Sequence, residues 1–128
     1  MAQDLIILYV ADQRAAATFY RRVLDAEPTL DVPGMTTFAL PGGASLGLMP
    51  EEGIRRLLGG VLPDPAEGSG IPRAELYLTV DDDPAAWHRR AIDAGATELS
   101  PLGARPWGDR AAYSLDPDGH VLAFAARS

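Results

Sequence analysis

The sequence predicts an α+β fold made of two tandem βαβββ modules. Three observations predict it. Residues 19–26 read FYRRVLDA and residues 87–94 read WHRRAIDA, with four identical positions and Leu24 exchanged for Ile92. Flanking segments repeat in the same order: Leu8-Tyr9-Val10 answers Leu78-Thr79-Val80, and Pro41-Gly42-Gly43 with its strand answers Pro117-Asp118-Gly119 with its strand. Around each copy, short β-branched or alternating stretches surround one stretch of four-residue apolar spacing. An internal repeat sets the architecture before any single element is considered. Shared use of Ala and Arg is the competing explanation, and the order and spacing of three matches argue against it.

Each element has a local cause. Leu5 to Val10 is aliphatic and β-branched, a strand. Asp12 offers a capping carboxylate to a helix whose Phe19 and Val23, and Tyr20 and Leu24, fall four apart. Strands follow near 29–32 and 36–40, and Pro41-Gly42-Gly43 turns the chain into a strand near 44–49. Residues 51–58 predict a short helix inside a Pro- and Gly-rich linker, 51–73. In the second half, 75–80 is a strand. Asp83 caps a helix, Pro84 occupies its first turn, Trp87, Ala91 and Ala94 form its stripe, and Gly95 suits a left-handed end. Strands near 96–99 and 110–115, the turn Asp116-Pro117-Asp118-Gly119 and a strand over 120–125 complete the module. Module one is thus about 1–50 and module two about 74–128, within one domain spanning 1–128.

Composition narrows the function. Eleven basic and eighteen acidic side chains give a net charge of −7, and every basic residue is Arg. An acidic balance disfavours a phosphate backbone as partner, so no nucleic acid is expected. The absence of Cys removes disulfides, thiolate metal sites and thiol nucleophiles. No basic leader precedes Asp4, and the apolar run 5–10 is too short for a bilayer, so a soluble cytoplasmic protein with no membrane partner is expected. Each module alone is small for independent stability, which predicts pairing within the chain and a homodimer.

The segments YVADQRAAATFYRRVLDAEP, AELYLTVDD and PWGDRAAYSLDPDGHVLAFA resemble the vicinal oxygen chelate superfamily, which includes glyoxalase I, fosfomycin resistance proteins, extradiol dioxygenases and bleomycin resistance proteins. The resemblance covers almost the whole chain. It implies that the modules form a cupped, eight-stranded mixed sheet with helices on its outer face, around a pocket. In metal-dependent branches four strand positions carry His, Glu or similar ligands. Carried onto this sequence, they fall on Leu5, Gly47, Glu75 and Ala123. Only Glu75 can bind a metal, and a catalytic site needs about three protein ligands. His88 belongs to the second helix, and His120 shares the parity of Leu122 and Phe124, so both are expected at the surface or against helices. Neither a metal nor any other cofactor is expected, and no catalytic residue stands out.

Strand alternation then gives the pocket lining. Leu5, Ile7 and Tyr9 share a face, as do Glu75, Tyr77 and Thr79. Ser45, Gly47 and Met49, then Val121, Ala123 and Ala125, complete it, and Tyr113 falls on a position that faces inward in relatives. Ile6, Leu8, Val10, Leu46, Leu48, Leu122 and Phe124 are expected under the helices with Phe19 and Trp87. The inner face is either a collapsed core between sheets or a ligand cavity with volume left at Gly47 and Ala123. Glu75 among Leu5, Ile7 and Ala123 would be costly to charge. It is therefore expected to pair with Arg14, Arg105 or Arg110, or to meet a cationic or donor group of a ligand, or to act as a base. Trp107, between Pro106 and Gly108, suits stacking on a flat ligand. Arg21-Arg22 and Arg89-Arg90 read as solvated helix faces. Asp81-Asp82-Asp83 reads as an acidic helix start and not a calcium loop. The function expected is a metal-independent, bleomycin-resistance-type protein that holds a flat or amphipathic small molecule, such as an antibiotic, by sequestration. The alternatives are a divergent metal-dependent lyase, isomerase or dioxygenase, and a dimeric interaction subunit with a vestigial pocket.

Overall fold

The computed structural model describes residues 4–80 and 83–128. The acidic-start reading of Asp81 and Asp82, and the leader reading of residues 1–3, lie outside the described residues. Module one is β1 (Leu5–Val10), α1 (Gln13–Leu24), β2 (Leu30–Val32), β3 (Met35–Ala39) and β4 (Ser45–Pro50). The linker holds α2 (Glu51–Leu58) and a short 3-10 turn (Pro65–Gly68). Module two is β5 (Glu75–Thr79), α3 (Pro84–Asp93), β6 (Thr97–Ala104), β7 (Asp109–Leu115) and β8 (Val121–Arg127). Both modules are βαβββ, as the repeat predicts.

The strands form two four-stranded mixed sheets, ordered β1-β4-β3-β2 and β5-β8-β7-β6. The same permutation in both is the repeat made structural: the first strand of each module pairs in parallel with the last. The sheets are not closed, so β1 and β5 remain sheet edges.

The caps are those the sequence offers. The Asp12 carboxylate accepts from Ala15 N at 3.0 Å, and the Asp83 carboxylate from Ala86 N at 3.3 Å with Pro84 in the first turn. One apolar cluster joins the modules, with Leu8, Phe19, Tyr20, Leu46 and Leu48 from the first and Leu76, Leu78, Ala91, Leu122 and Phe124 from the second. Ile6 departs from its expected place. It has the parity of Leu8 and Val10 but is 52% exposed, because the cover over β1 stops short of its N-terminal end.

The paired arginines also depart from a uniformly solvated reading. Arg22 Nη2 donates to the carbonyl of Asp93 at 3.1 Å, while Arg90 Nε and Nη2 donate to the carbonyl of Val23 at 3.2 and 3.0 Å. Arg22 and Arg90 occupy equivalent places in the repeat, so each helix lends an arginine to the carbonyl end of the other. The Arg90 guanidinium also lies 4.4 Å from the centroid of the Trp87 ring. Arg21 pairs with Glu27 at 3.2 Å, and Arg89 is exposed.

A second clasp closes the junction. The Asp116 carboxylate is buried and accepts from the backbone N–H groups of Asp118 and His120 at 2.9 and 2.8 Å. Its other oxygen accepts from the buried Tyr20 hydroxyl of α1 at 2.5 Å. Asp118 Oδ1 accepts from Ala11 N at 2.9 Å, and His120 Nε2 bonds the carbonyl of Tyr9 at 3.1 Å. The turn of module two therefore grips the β1–α1 corner of module one.

Candidate ligand site

The β6–β7 hairpin is closed by Arg105-Pro106-Trp107-Gly108. Pro106 sets the turn's first corner, Gly108 adopts φ +99°, and Gly108 N donates to Arg105 O at 3.2 Å. Trp107 is thereby held at the tip, 55% exposed. Its indole N–H donates to the Tyr77 hydroxyl at 2.8 Å, and that hydroxyl donates to Asp109 Oδ2 at 2.6 Å. Desolvation, and then the Asp109 hydrogen bond, push the Tyr77 phenol above its usual value. The phenol stays protonated and keeps its place as the middle member of the relay.

Tyr77, Ala123 and Tyr113 stand in one register row across β5, β8 and β7. Directly opposite residues share a face, so two phenol rings flank the small residue, and Ala123 is fully buried. Arg105 lies over the Tyr113 ring at 5.0 Å and donates to Ala111 O at 3.1 and 2.7 Å and to Ser100 Oγ at 2.8 Å. Module one shows the same filling. A Cβ on Gly47 would lie 3.0 Å from Met35 Sδ, 3.1 Å from Ile7 Cγ1 and 3.3 Å from Leu5 Cδ1. The volume expected at Gly47 and Ala123 is taken up by neighbours.

The site residues named from the sequence fall into separate groups. Tyr77, Trp107, Tyr113 and Ala123 come together on module two. Leu5, Ile7 and Gly47 touch on module one, with Met49 half-buried on the same strand as Gly47. Thr79 is exposed near the end of β5. Glu75 is exposed at the start of β5 and carries no ion pair or hydrogen bond among the described residues. The expected pairing with Arg105 fails because that guanidinium is committed within its own hairpin. Solvent, not an arginine, accommodates the Glu75 charge. Of the histidines, His88 is buried and bonds Glu98 Oε1 at 2.9 Å, a helix-packing role. His120 bridges the modules instead of facing a helix.

The linker is more than a connection. Together with β1 it encloses a cleft of about 430 Å³ that Ile7 and Tyr9 share with Glu51, Leu62, Ile71 and Arg73. Its course is fixed where Gly70 crosses Gly119. A Cβ on Gly119 would lie 2.9 Å from Gly70 Cα, and both glycines have positive φ, +90° and +81°. The Pro and Gly content that marks 59–73 as a linker also allows this close passage, which no periodicity could disclose.

A metal does not fit the four family positions. Leu5, Gly47 and Ala123 offer no donor, and Glu75 alone cannot build a site. Among the described residues no three His, Cys, Asp or Glu side chains come together to hold an ion. Among them, too, no helix is long and apolar enough to cross a membrane.

Known proteins share this architecture. A glyoxalase-related enzyme from Fulvimarina pelagi superposes with a TM-score of 0.79 at 24% identity, over 99% of this chain and 88% of its own. A glyoxalase/bleomycin resistance protein/dioxygenase from Nocardioides gives 0.77 at 24% identity, over 99% and 83%. At that identity the likeness concerns the fold. A Mycobacterium bovis protein, Mb0911c, itself uncharacterised, is 32% identical over 116 residues, 88% of this chain and 75% of the relative. The family pattern runs from residue 2 to residue 124. With the permuted double βαβββ fold and that match, the chain belongs to the glyoxalase/bleomycin resistance protein/dioxygenase superfamily.

Proposed function

We propose that this chain is a ligand-binding member of the superfamily that works without a metal and takes a flat, amphipathic small molecule against the Trp107–Tyr77 wall. One observation carries the reading. Trp107 is exposed, yet its only polar atom is engaged by Tyr77. What it offers a partner is an oriented aromatic face, which is what stacking requires. The exposed Glu75 carboxylate lies on the same strand as Tyr77 and would meet a cationic edge of such a ligand. Tyr113 and Ala123, in the same register row as Tyr77, complete the wall in this reading. Stoichiometric holding of an antibiotic or similar molecule in the cytoplasm is the role that binding would serve. A homodimer belongs to the same proposal, supported by exposed apolar Ile6 and Leu99. Light scattering should then return twice the 13.6 kDa chain mass.

Fluorescence titration with a planar aromatic cation such as ethidium tests the site. Binding should quench tryptophan emission. Trp107→Ala should weaken it about two- to tenfold, the range of one aromatic contact. Prior chelation should leave affinity unchanged. An equimolar transition metal that survives mild chelation, and on which binding depends, would overturn the metal-independent reading. Equal affinity in Trp107→Ala would overturn the stacking reading.

A further inference from the structure

The linker cleft contains none of the Trp107 wall and has a chemistry of its own. It is open to solvent on one side, and its volume of about 430 Å³ lies within the range of small-molecule clefts. Its apolar surface comes from Ile7 and Tyr9 of β1 and from Leu62 and Ile71 of the linker. Two opposite charges stand on the same walls: Glu51, half-buried at the start of α2, and Arg73, two residues before β5. Neither side chain has a hydrogen bond or ion pair among the described residues. The other carboxylates on the wall are engaged. Asp64 bonds Arg55 at 3.1 Å and Ala66 N at 3.0 Å, and Asp118 accepts from Ala11 N. The Arg73 guanidinium rests directly on Gly68, where an added Cβ would lie 2.2 Å from Cζ.

Apolar walls bearing one unanswered anion and one unanswered cation complement a molecule with the same three parts. We propose that this cleft binds a small zwitterion with an apolar body, the chemistry of an apolar dipeptide with free termini. Its ammonium meets Glu51 and its carboxylate meets Arg73. The proposal does not depend on the Trp107 wall.

Calorimetry with leucyl-phenylalanine, its N-acetyl form and its C-terminal amide tests it. The free dipeptide should bind, and either block should weaken binding about three- to tenfold, as expected for a partly solvated ion pair. Glu51→Gln should abolish the penalty for acetylation, and Arg73→Gln the penalty for amidation. Gly68→Ala should act like Arg73→Gln, because it displaces the guanidinium while keeping its charge. Trp107→Ala should bind the free dipeptide as the parent protein does, whatever the ethidium titration shows. Both charged positions are solvent-accessible, and a thermal melt of each variant confirms folding. Absence of binding by the free dipeptide, equal binding of the blocked forms, or penalties that persist in the Gln variants would overturn the proposal.

Discussion

At the scale of single residues, the Tyr20–Asp116 hydrogen bond ties the two halves together. It joins two buried side chains 96 positions apart. Burial, reinforced by the Asp116 charge and hydrogen bond, holds the Tyr20 phenol well above its usual value of 10.0. Its stabilisation is complete below pH 10, the unfolded value, and is lost as pH rises through the folded value. Tyr20→Phe should therefore cost about 1.5–3 kcal/mol at neutral pH, the range for a hydrogen bond to a charged group. In urea unfolding measured from pH 8 to pH ~11, the variant should show a flatter alkaline decline than the parent. The sequence places Tyr20 correctly on the buried stripe of α1, but spacing reports only which face a residue takes. The partner of its hydroxyl is set by how the modules dock. Glu75 teaches the converse. Its strand and parity are right, and its expected burial is not, because it stands at the open start of an edge strand.

At the scale of elements, the reciprocal arginines show how a repeat becomes an interface. Arg90 makes two hydrogen bonds to Val23 O and covers Trp87, whereas Arg22 makes one exposed bond. Arg90→Ala should cost about 1–2 kcal/mol and Arg22→Ala about 0.5 kcal/mol or less, read by chemical denaturation. Comparable losses would mean that the two helix ends are equivalent in energy as well as in sequence. Element positions were largely legible. β1, α2 and the caps at Asp12 and Asp83 stand where composition puts them, because each has a local cause. β6 runs from Thr97 to Ala104, well past its expected end at 99. Its pairing with β7 shifts register between Glu98 and Ser100 and again between Ser100 and Gly103. Such irregularities break the alternation on which a strand is recognised. Pro106 and Gly108 frame Trp107 and mark it in the sequence as a loop residue. Strand alternation also names Tyr77, but the hydrogen bonds by which Tyr77 and Asp109 aim the indole depend on how the strands pair and carry no local mark.

For the whole molecule, two open sheets and one shared core rest on contacts between the modules more than on the chain that connects them. The linker is a wall of the cleft, but the clasp at Asp116, the crossed arginines and the apolar cluster would all survive a cut within it. Gly59 and Gly60 form a turn after α2, and Val61 within it is 86% exposed, which offers a protease an accessible loop tip. Limited proteolysis there should give two bands on a denaturing gel and a single species of unchanged size on a native column. Separation of the pieces under native conditions would show that the connection, not the interface, holds the halves. If they stay together, the protein is in effect a heterodimer written on one chain. Its halves, expressed as separate polypeptides, would then reassemble by complementation, and restored binding in the cleft would report when they meet.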